Sequence, residues 1–160
     1  MTASYAESRS VSDIYNTNAD MLCRIAYSVL MSKDDAEDAV SDVFAIYLNK
    51  KPVFKDYEHE KAWFIRVTIN HCHDLQRKRT VRSYTPLESV IDIAEENTNH
   101  SYVLSEVLAL DAKYKDVILL HYFEGFDVAQ TAKILHLTQS AVKMRLKRAR
   151  ERLREVLEYV

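Results

Sequence analysis

The sequence contains very little glycine and proline. It has one glycine, Gly125, and two prolines, Pro52 and Pro86, in 160 residues, too few for the many tight turns of a β-sandwich or β-barrel. A P-loop needs two glycines and a dinucleotide-binding fingerprint needs three, so both phosphate-binding motifs are excluded. Since 48% of the residues are hydrophobic, the composition favours an all-α protein with packed helical cores.

Cysteines and long apolar segments are also scarce. Two cysteines, Cys23 and Cys72, cannot form a disulfide framework and are typical of a reducing cytosol. No apolar run approaches the roughly 18 residues that a membrane-spanning helix requires. The polar start MTASYAESRS has no hydrophobic stretch behind it, unlike a secretory signal. We therefore expect a cytoplasmic protein that does not insert into a membrane.

The charges are sorted into blocks along the chain. Residues 61–82 contain six basic and one acidic side chain, and residues 143–154 contain seven basic and one acidic. Between them, residues 83–111 contain six acidic side chains and no lysine or arginine. Two basic segments separated by an acidic one indicate two surfaces that bind polyanions.

Hydrophobic spacing predicts two small helical domains joined by an acidic linker. In the first domain, helices are expected over residues 12–30, from Ser32 to Pro52 and over residues 59–79, with a loop at 51–58. Ser32 and Asp35 have the spacing of a capping box at the start of the second helix. The predicted organisation is a flexible N-terminus at 1–10, a first domain at 11–82, a linker at 83–101 and a second domain at 102–160.

The second domain is predicted to contain a helix-turn-helix. Its helices are expected over residues 102–110, 113–124 and 128–135, followed by a last helix capped by Thr138. The helix at 113–124 should end at Gly125, with one packed face made of Tyr114, Val117, Ile118, His121 and Tyr122. Asp127 and Gln130 have capping spacing before the third helix, and the short turn after that helix is typical of a helix-turn-helix.

The last helix has an apolar side and a basic side. At about 100° per residue, its hydrophobic residues form one face and its lysines and arginines form two flanks, with Ser140 and Met144 opposite the apolar face. Such a helix suits the major groove, because the flanks can meet phosphates while the front faces base edges. A solvated amphipathic helix that closes a bundle is the alternative.

The third helix presents a mixed face and a basic end. Trp63, Val67, Asn70 and Asp74 share one side, so Asn70 and Asp74 are either ligand-binding residues or partners in hydrogen bonds within the domain. In the adjacent run His71-Cys72-His73, consecutive helical side chains point about 100° apart and cannot converge on one ion. We expect no metal and no cofactor.

Three segments together resemble the extracytoplasmic-function type of bacterial RNA polymerase sigma factor, in the sigma-70 family. The segment DAEDAVSDVF at residues 35–44 is similar to the polymerase-binding segment of the family, and AWFIRVTIN at 62–70 is similar to its −10 region. The segments at 114–125, 131–135 and 142–150 are similar to its −35 region. Their order and spacing make the resemblance specific.

The resemblance implies a non-catalytic subunit that binds core RNA polymerase and promoter DNA and is held by an anti-sigma factor. The implied core-binding residues are Asp35, Asp38, Asp42, Val43 and Phe44. The implied −10 residues are Phe54, Tyr57, Asn70, Asp74, Arg77, Lys78, Arg79 and Arg82, with Phe54 and Tyr57 as candidates for binding an unstacked base. The implied −35 residues are Thr138, Gln139, Ser140, Lys143, Met144, Lys147 and Arg148.

Two positions depart from the family pattern, and one alternative function stays open. His136 replaces the glycine of the helix-turn-helix, where a positive φ is expected, so we predict a slightly strained turn. Met144 stands where a small polar residue is common. The alternative is a stand-alone helix-turn-helix regulator that binds duplex DNA as a dimer, although a regulator has no need of the first basic segment.

Overall fold

The computed structural model describes residue 5, residues 9–79 and residues 98–157, and all regular structure within these residues is helical. The helices fall in two compact units, α1 to α3 in unit 1 and α4 to α7 in unit 2. No helix in the described residues is long and apolar enough to cross a membrane. The helices are α1 (Val11–Leu30), α2 (Lys33–Lys50), α3 (Tyr57–Arg79), α4 (Thr98–Leu108), α5 (Ala112–Ile118), α6 (Val128–Leu135) and α7 (Gln139–Leu157).

Unit 1 is a three-helix bundle whose first two helices are capped by serines. Ser10 accepts a hydrogen bond from the backbone N–H of Asp13, whose carboxylate accepts one from the Ser10 N–H in return. The hydroxyl of Ser32 likewise accepts from the N–H of Asp35. These caps satisfy N–H groups that a helix start leaves free. Hydrophobic spacing predicts one apolar side for α1, made of Ile14, Met21, Leu22, Ile25, Val29 and Leu30, and all six residues are buried.

The third helix begins at Tyr57, two residues earlier than predicted. Asp56 precedes it, and its Oδ1 accepts a hydrogen bond from the N–H of His59 at 2.8 Å. The loop predicted at residues 51–58 therefore ends at Asp56. The inner side of α3 packs into the bundle, where Phe64 and Ile65 are fully buried.

Tyr5 and Arg9, which precede α1, are bound to the bundle through a buried carboxylate. Glu60 of α3 is fully buried, and its Oε2 lies 2.6 Å from Nη1 of Arg9. The same oxygen accepts a hydrogen bond from the Tyr5 hydroxyl at 2.8 Å. The predicted flexible N-terminus is therefore wrong at Tyr5 and Arg9, because a carboxylate without water requires charged and polar partners.

Unit 2 has a core that four helices share. The helix α4 begins at Thr98, so the last four residues of the predicted linker at 83–101 are helical instead. The rest of that segment lies outside the described residues. The core consists of Val107, Tyr114, Val117, Ile118, Ala132, Val142, Leu146 and Ala149.

The predicted helix at residues 113–124 is not a single α-helix. After Ile118 it continues as a π-helical turn, Leu119–Phe123, in which the N–H of Glu124 donates to the carbonyl oxygen of Leu119 at 2.9 Å. Within this turn Tyr122 is 54% exposed, so its predicted place on the packed face is wrong.

The turn of the helix-turn-helix has the strained geometry expected from the sequence. His136 caps α6 with φ 55° and ψ 44°, in the left-handed region. The next helix begins directly after Thr138, whose hydroxyl accepts a hydrogen bond from the N–H of Ala141 at 3.1 Å. The capping box of Asp127 and Gln130 at the start of α6 is also present.

Replacing His136 by glycine is expected to stabilise unit 2 by about 0.5–1 kcal/mol. Glycine removes the steric cost of a Cβ at positive φ, and the larger entropy of the unfolded chain offsets only part of this gain. Gly125→Ala is the matched opposite change, because Gly125 has φ 78° and no atom lies within 4 Å of an added Cβ. Amide hydrogen exchange in α6 and α7 should slow in the first variant and accelerate in the second. Equal exchange in both variants would contradict the strain at His136.

Candidate nucleic-acid interface

The helix α7 presents an exposed polar face with an apolar back. Val142, Leu146 and Ala149 are buried in the core of unit 2, which directs the opposite side of the helix to solvent. Met144 is 54% exposed. The predicted −35 residues are all exposed, namely Thr138, Gln139, Ser140, Lys143, Met144, Lys147 and Arg148.

Tyr114 of α5 lies beside the cationic second half of α7. Tyr114 is buried, with the guanidinium carbon of Arg152 4.7 Å from its ring centroid and Nζ of Lys113 at 5.0 Å. Burial raises the pKa of the Tyr114 phenol, but the hydrogen bond from Arg148 and the charges of Lys113 and Arg152 outweigh it, so the pKa lies below its usual value. Arg148 is exposed, and its charge acts on a residue of another helix.

The outer side of α3 holds the predicted −10 residues that the structure describes. Asn70 and Asp74 are exposed, and Asp74 pairs with Arg77 one turn later on the same helix. Lys78 is exposed as well. The side chain of Arg79 and the whole of Arg82 lie outside the described residues.

The structure buries Phe54, one of the two residues predicted to bind an unstacked base. Phe54 is only 3% exposed, because its ring packs among Tyr47, Trp63 and Phe64 with centroids 5.8 to 6.3 Å apart. The residue before it, Val53, is the exposed one, at 72%. The aromatic side chain therefore anchors the loop to the bundle.

Tyr57 is half-buried at the start of α3. The Nζ atom of Lys61 lies 5.9 Å from its ring centroid. Burial, followed by the charge of Glu60, raises the pKa of the Tyr57 phenol. Tyr57 is thus partly exposed, and its contact with a base stays a prediction.

The acidic side of α2 is exposed, but its predicted apolar partners are not. Asp38 and Asp42 are exposed and Asp35 is partly exposed. Val43 is fully buried and Phe44 is 7% exposed, since both face α1 and α3 in the bundle. Val43 and Phe44 therefore hold α2 in the bundle, and their contact with polymerase stays a prediction.

One residue at the acidic side was missed by the sequence analysis. Nε2 of His71 on α3 donates a hydrogen bond to Oδ2 of Asp42 on α2 at 2.9 Å. The two residues are 29 positions apart, so spacing within one helix gives no signal for the contact. His71 orients Asp42 from the neighbouring helix.

Comparison with known protein families matches both units. The family model for sigma-70 region 2 matches residues 14–82, and that for sigma-70 region 4 matches residues 100–153. The matched segments together span more than half of the chain. They contain nearly all of α1 to α7.

Curated relatives and solved structures agree with these matches. The chain is 24% identical over 150 residues to the ECF RNA polymerase sigma factor SigM of Mycobacterium tuberculosis, covering 92% of this chain and 76% of SigM. It is 24% identical over 161 residues to SigX of Bacillus subtilis, covering 91% and 82%. The sigma factor RpoE of Bartonella quintana, solved with the anti-sigma factor NepR, has the same fold, with a TM-score of 0.71, 23% identity and coverage of 90% and 94%.

The chain therefore belongs to the sigma-70 family of bacterial RNA polymerase sigma factors, and within it to the extracytoplasmic-function type. It binds core RNA polymerase and directs promoter-specific transcription initiation through −10 and −35 contacts. The alternative of a stand-alone helix-turn-helix regulator is excluded, because the first unit matches sigma-70 region 2.

Proposed function

We propose that three surfaces of this sigma factor bind three different partners. The exposed side of α7 reads the −35 element, the outer side of α3 with the loop before it faces the −10 element, and the acidic side of α2 binds core polymerase. The observation that carries the proposal is the exposure of the predicted −35 residues on α7, opposite a fully packed apolar side.

On α7, phosphate and base contacts are assigned to different side chains. Lys143 and Lys147 are exposed on one flank, where an ammonium group can meet a phosphate. Met144 lies at the front, where an exposed apolar side chain suits a thymine methyl group. Thr138, Gln139 and Ser140 at the start of the helix have the polar groups that base edges or phosphates require. Arg148 is exposed on the other flank of α7 and is assigned to the same DNA-binding surface.

On unit 1, the −10 element is assigned to α3 and its basic end. Asn70, Asp74 and Tyr57 would contact bases of the opened strand, which needs polar and aromatic partners. Phosphate contacts are assigned to the basic residues at the end of α3 and just after it in the sequence, namely Arg77, Lys78, Arg79 and Arg82. Asp38 and Asp42, with Asp35 beside them, offer a concentrated negative charge to a basic partner, which supports docking on polymerase.

We further propose a regulatory partner and a cellular location for this chain. The solved RpoE is bound to an anti-sigma factor, and CnrH, which is 25% identical with a TM-score of 0.70, is bound to the cytosolic domain of CnrY. We propose by analogy that an anti-sigma factor holds this chain in the cytoplasm. Sigma factors are non-catalytic initiation subunits, and we propose that this one has no enzymatic activity of its own.

Run-off transcription with purified bacterial core polymerase tests the proposed function. Reactions contain core enzyme with or without the protein, on DNA selected by the assembled holoenzyme from a randomised pool. A transcript that requires the protein, and that is lost when the selected −35 sequence is scrambled, supports the assignment. Failure of the protein to bind core enzyme would overturn it.

Lys147→Ala and Met144→Ala are expected to affect duplex binding in different ways. Removing Lys147 should weaken binding to every sequence and lower the slope of log K against log salt by about 0.9, the value for one phosphate contact. Removing the Met144 side chain should leave this slope unchanged and reduce the preference between thymine and other bases at one position. Fluorescence anisotropy over a salt series measures both effects. If the salt slope of Lys147→Ala equals that of the wild type, Lys147 does not contact a phosphate.

A further inference from the structure

A tyrosine from the π-helical turn holds an arginine of α7 at the flank of the recognition surface. Nη1 of Arg150 donates a hydrogen bond to the Tyr122 hydroxyl at 3.0 Å, although the two residues are 28 positions apart. Both side chains are exposed. Neither belongs to the −35 residues that the sequence predicted.

Tyr122 lies in the π-helical turn and is accessible to Arg150. Ile118, four residues earlier, is buried, whereas Tyr122 is 54% exposed. The exposed Tyr122 side chain therefore meets Arg150 of α7. The adjacent residue His121 fixes the turn, because Nδ1 donates to the carbonyl oxygen of Phe126 at 2.8 Å and the His121 ring lies edge-on to that of Tyr122 with centroids 4.8 Å apart.

Arg150 lies on the same flank of α7 as two proposed phosphate contacts. Lys143, Lys147 and Arg150 are separated by four and three residues, so they form one line along about 10 Å of the helix. A tyrosine hydroxyl is a neutral acceptor and leaves the positive charge of Arg150 uncompensated. It also occupies only one of the five N–H donors of a guanidinium, so the others can bind an anion.

Arg152 on the other flank has a different environment. Its Nη1 lies 3.4 Å from Oδ2 of Asp111, and its guanidinium stacks on the ring of Tyr114. The charge of Arg152 is thus balanced within unit 2, and its planar group is covered on one side. Arg152 therefore holds α7 against α5, and its charge is paired. Arg150 is oriented by a neutral hydroxyl, and its charge is not paired by that contact.

We propose that Arg150 is a further contact to a backbone phosphate of the promoter duplex, and that Tyr122 is the positioning residue that pre-orients it. This inference rests on the proposed function of α7 and extends the phosphate-binding line beyond Lys147. By holding the guanidinium in place, Tyr122 removes part of the entropy cost of ordering a long side chain on binding. The π-helical turn is therefore part of the DNA-binding surface.

The test is a salt series of duplex binding by the full chain, using a duplex that the wild-type chain enriches from a randomised pool. Arg150→Ala should lower the salt slope by about 0.9, which is about an eightfold loss at 0.1 M salt if the two lines meet at 1 M. Arg152→Ala is the matched control, since it removes the same charge from the same helix, and its slope should equal that of the wild type. Tyr122→Phe, which removes only the hydroxyl, should weaken binding about two- to threefold.

Combining the changes separates positioning from a structural role. Tyr122→Phe should cause no further loss in the Arg150→Ala background, because both changes remove the same interaction. Thermal unfolding should be unchanged in Tyr122→Phe. A wild-type slope in Arg150→Ala, or additive losses in the double variant, would overturn the inference while leaving the proposed function intact. If the wild-type chain enriches no duplex, the −35 assignment of α7 fails and the inference fails with it.

Discussion

Reversing the charges of Asp38 and Asp42 to lysine is expected to abolish binding to core polymerase. Both carboxylates are exposed on α2, so the substitution leaves the buried side of the helix unchanged. Placing positive charges against a basic partner costs several kcal/mol, which corresponds to a loss of affinity of at least about a hundredfold. Titration of a fluorescently labelled protein with core enzyme measures the loss directly.

A charge reversal elsewhere on unit 1 is the control. Asp20 is exposed on α1, and Asp20→Lys changes the net charge by the same amount per site. This variant should keep its affinity for core enzyme within about twofold. Circular dichroism should show unchanged helix content in both proteins. Retained binding in the Asp38→Lys, Asp42→Lys double variant would exclude the acidic side of α2 as the docking surface.

Replacing Arg9 by alanine is expected to destabilise unit 1 by about 3–5 kcal/mol. The substitution would leave the carboxylate of Glu60 buried and without its cation. Arg9 also donates from Nη2 to the Thr17 hydroxyl at 2.6 Å, and this hydrogen bond would be lost too. Trp63 is the only tryptophan in the chain and lies in α3, so its fluorescence during urea unfolding reports on unit 1.

Removing the charge of Glu60 distinguishes the ion pair from general loss of packing. In the Arg9→Ala background, Glu60→Gln should recover part of the lost stability, because a buried amide costs less than a buried carboxylate. Tyr5→Phe should cost about 1 kcal/mol, the value of one hydrogen bond. If Arg9→Ala costs less than about 1 kcal/mol, the contact with Glu60 contributes little to the fold.

The helices could be predicted from the sequence because their signals are local. Ser32, Asp127 and Thr138 cap the helices that they were expected to cap, and hydrophobic spacing identified the buried sides of α1 and α7. The exposure of the −35 residues followed from the same spacing. Gly125 and His136 have the positive φ values predicted for them.

The sequence was a weaker guide where contacts between helices decide which residues are buried. Phe54 lies in a polar loop, and only the surrounding rings of Tyr47, Trp63 and Phe64 show that it belongs to the core. Val43 and Phe44 were assigned by resemblance, yet the bundle buries them. Helical spacing assigned Tyr122 to the packed face, yet the residue is 54% exposed in the π-helical turn.

The sequence separation of the bundle contacts has a consequence for how the chain folds during synthesis. The caps and neighbouring helices of unit 1 involve local contacts, and helical bundles of this kind fold within milliseconds. Translation proceeds at about 5–20 residues per second, so unit 1 can fold while the remaining half of the chain is being made. Tyr5 and Arg9 must meet Glu60 across 55 and 51 residues, so these contacts form only after α3 has been synthesised. The nascent chain would thus display the acidic side of α2 before α7 exists.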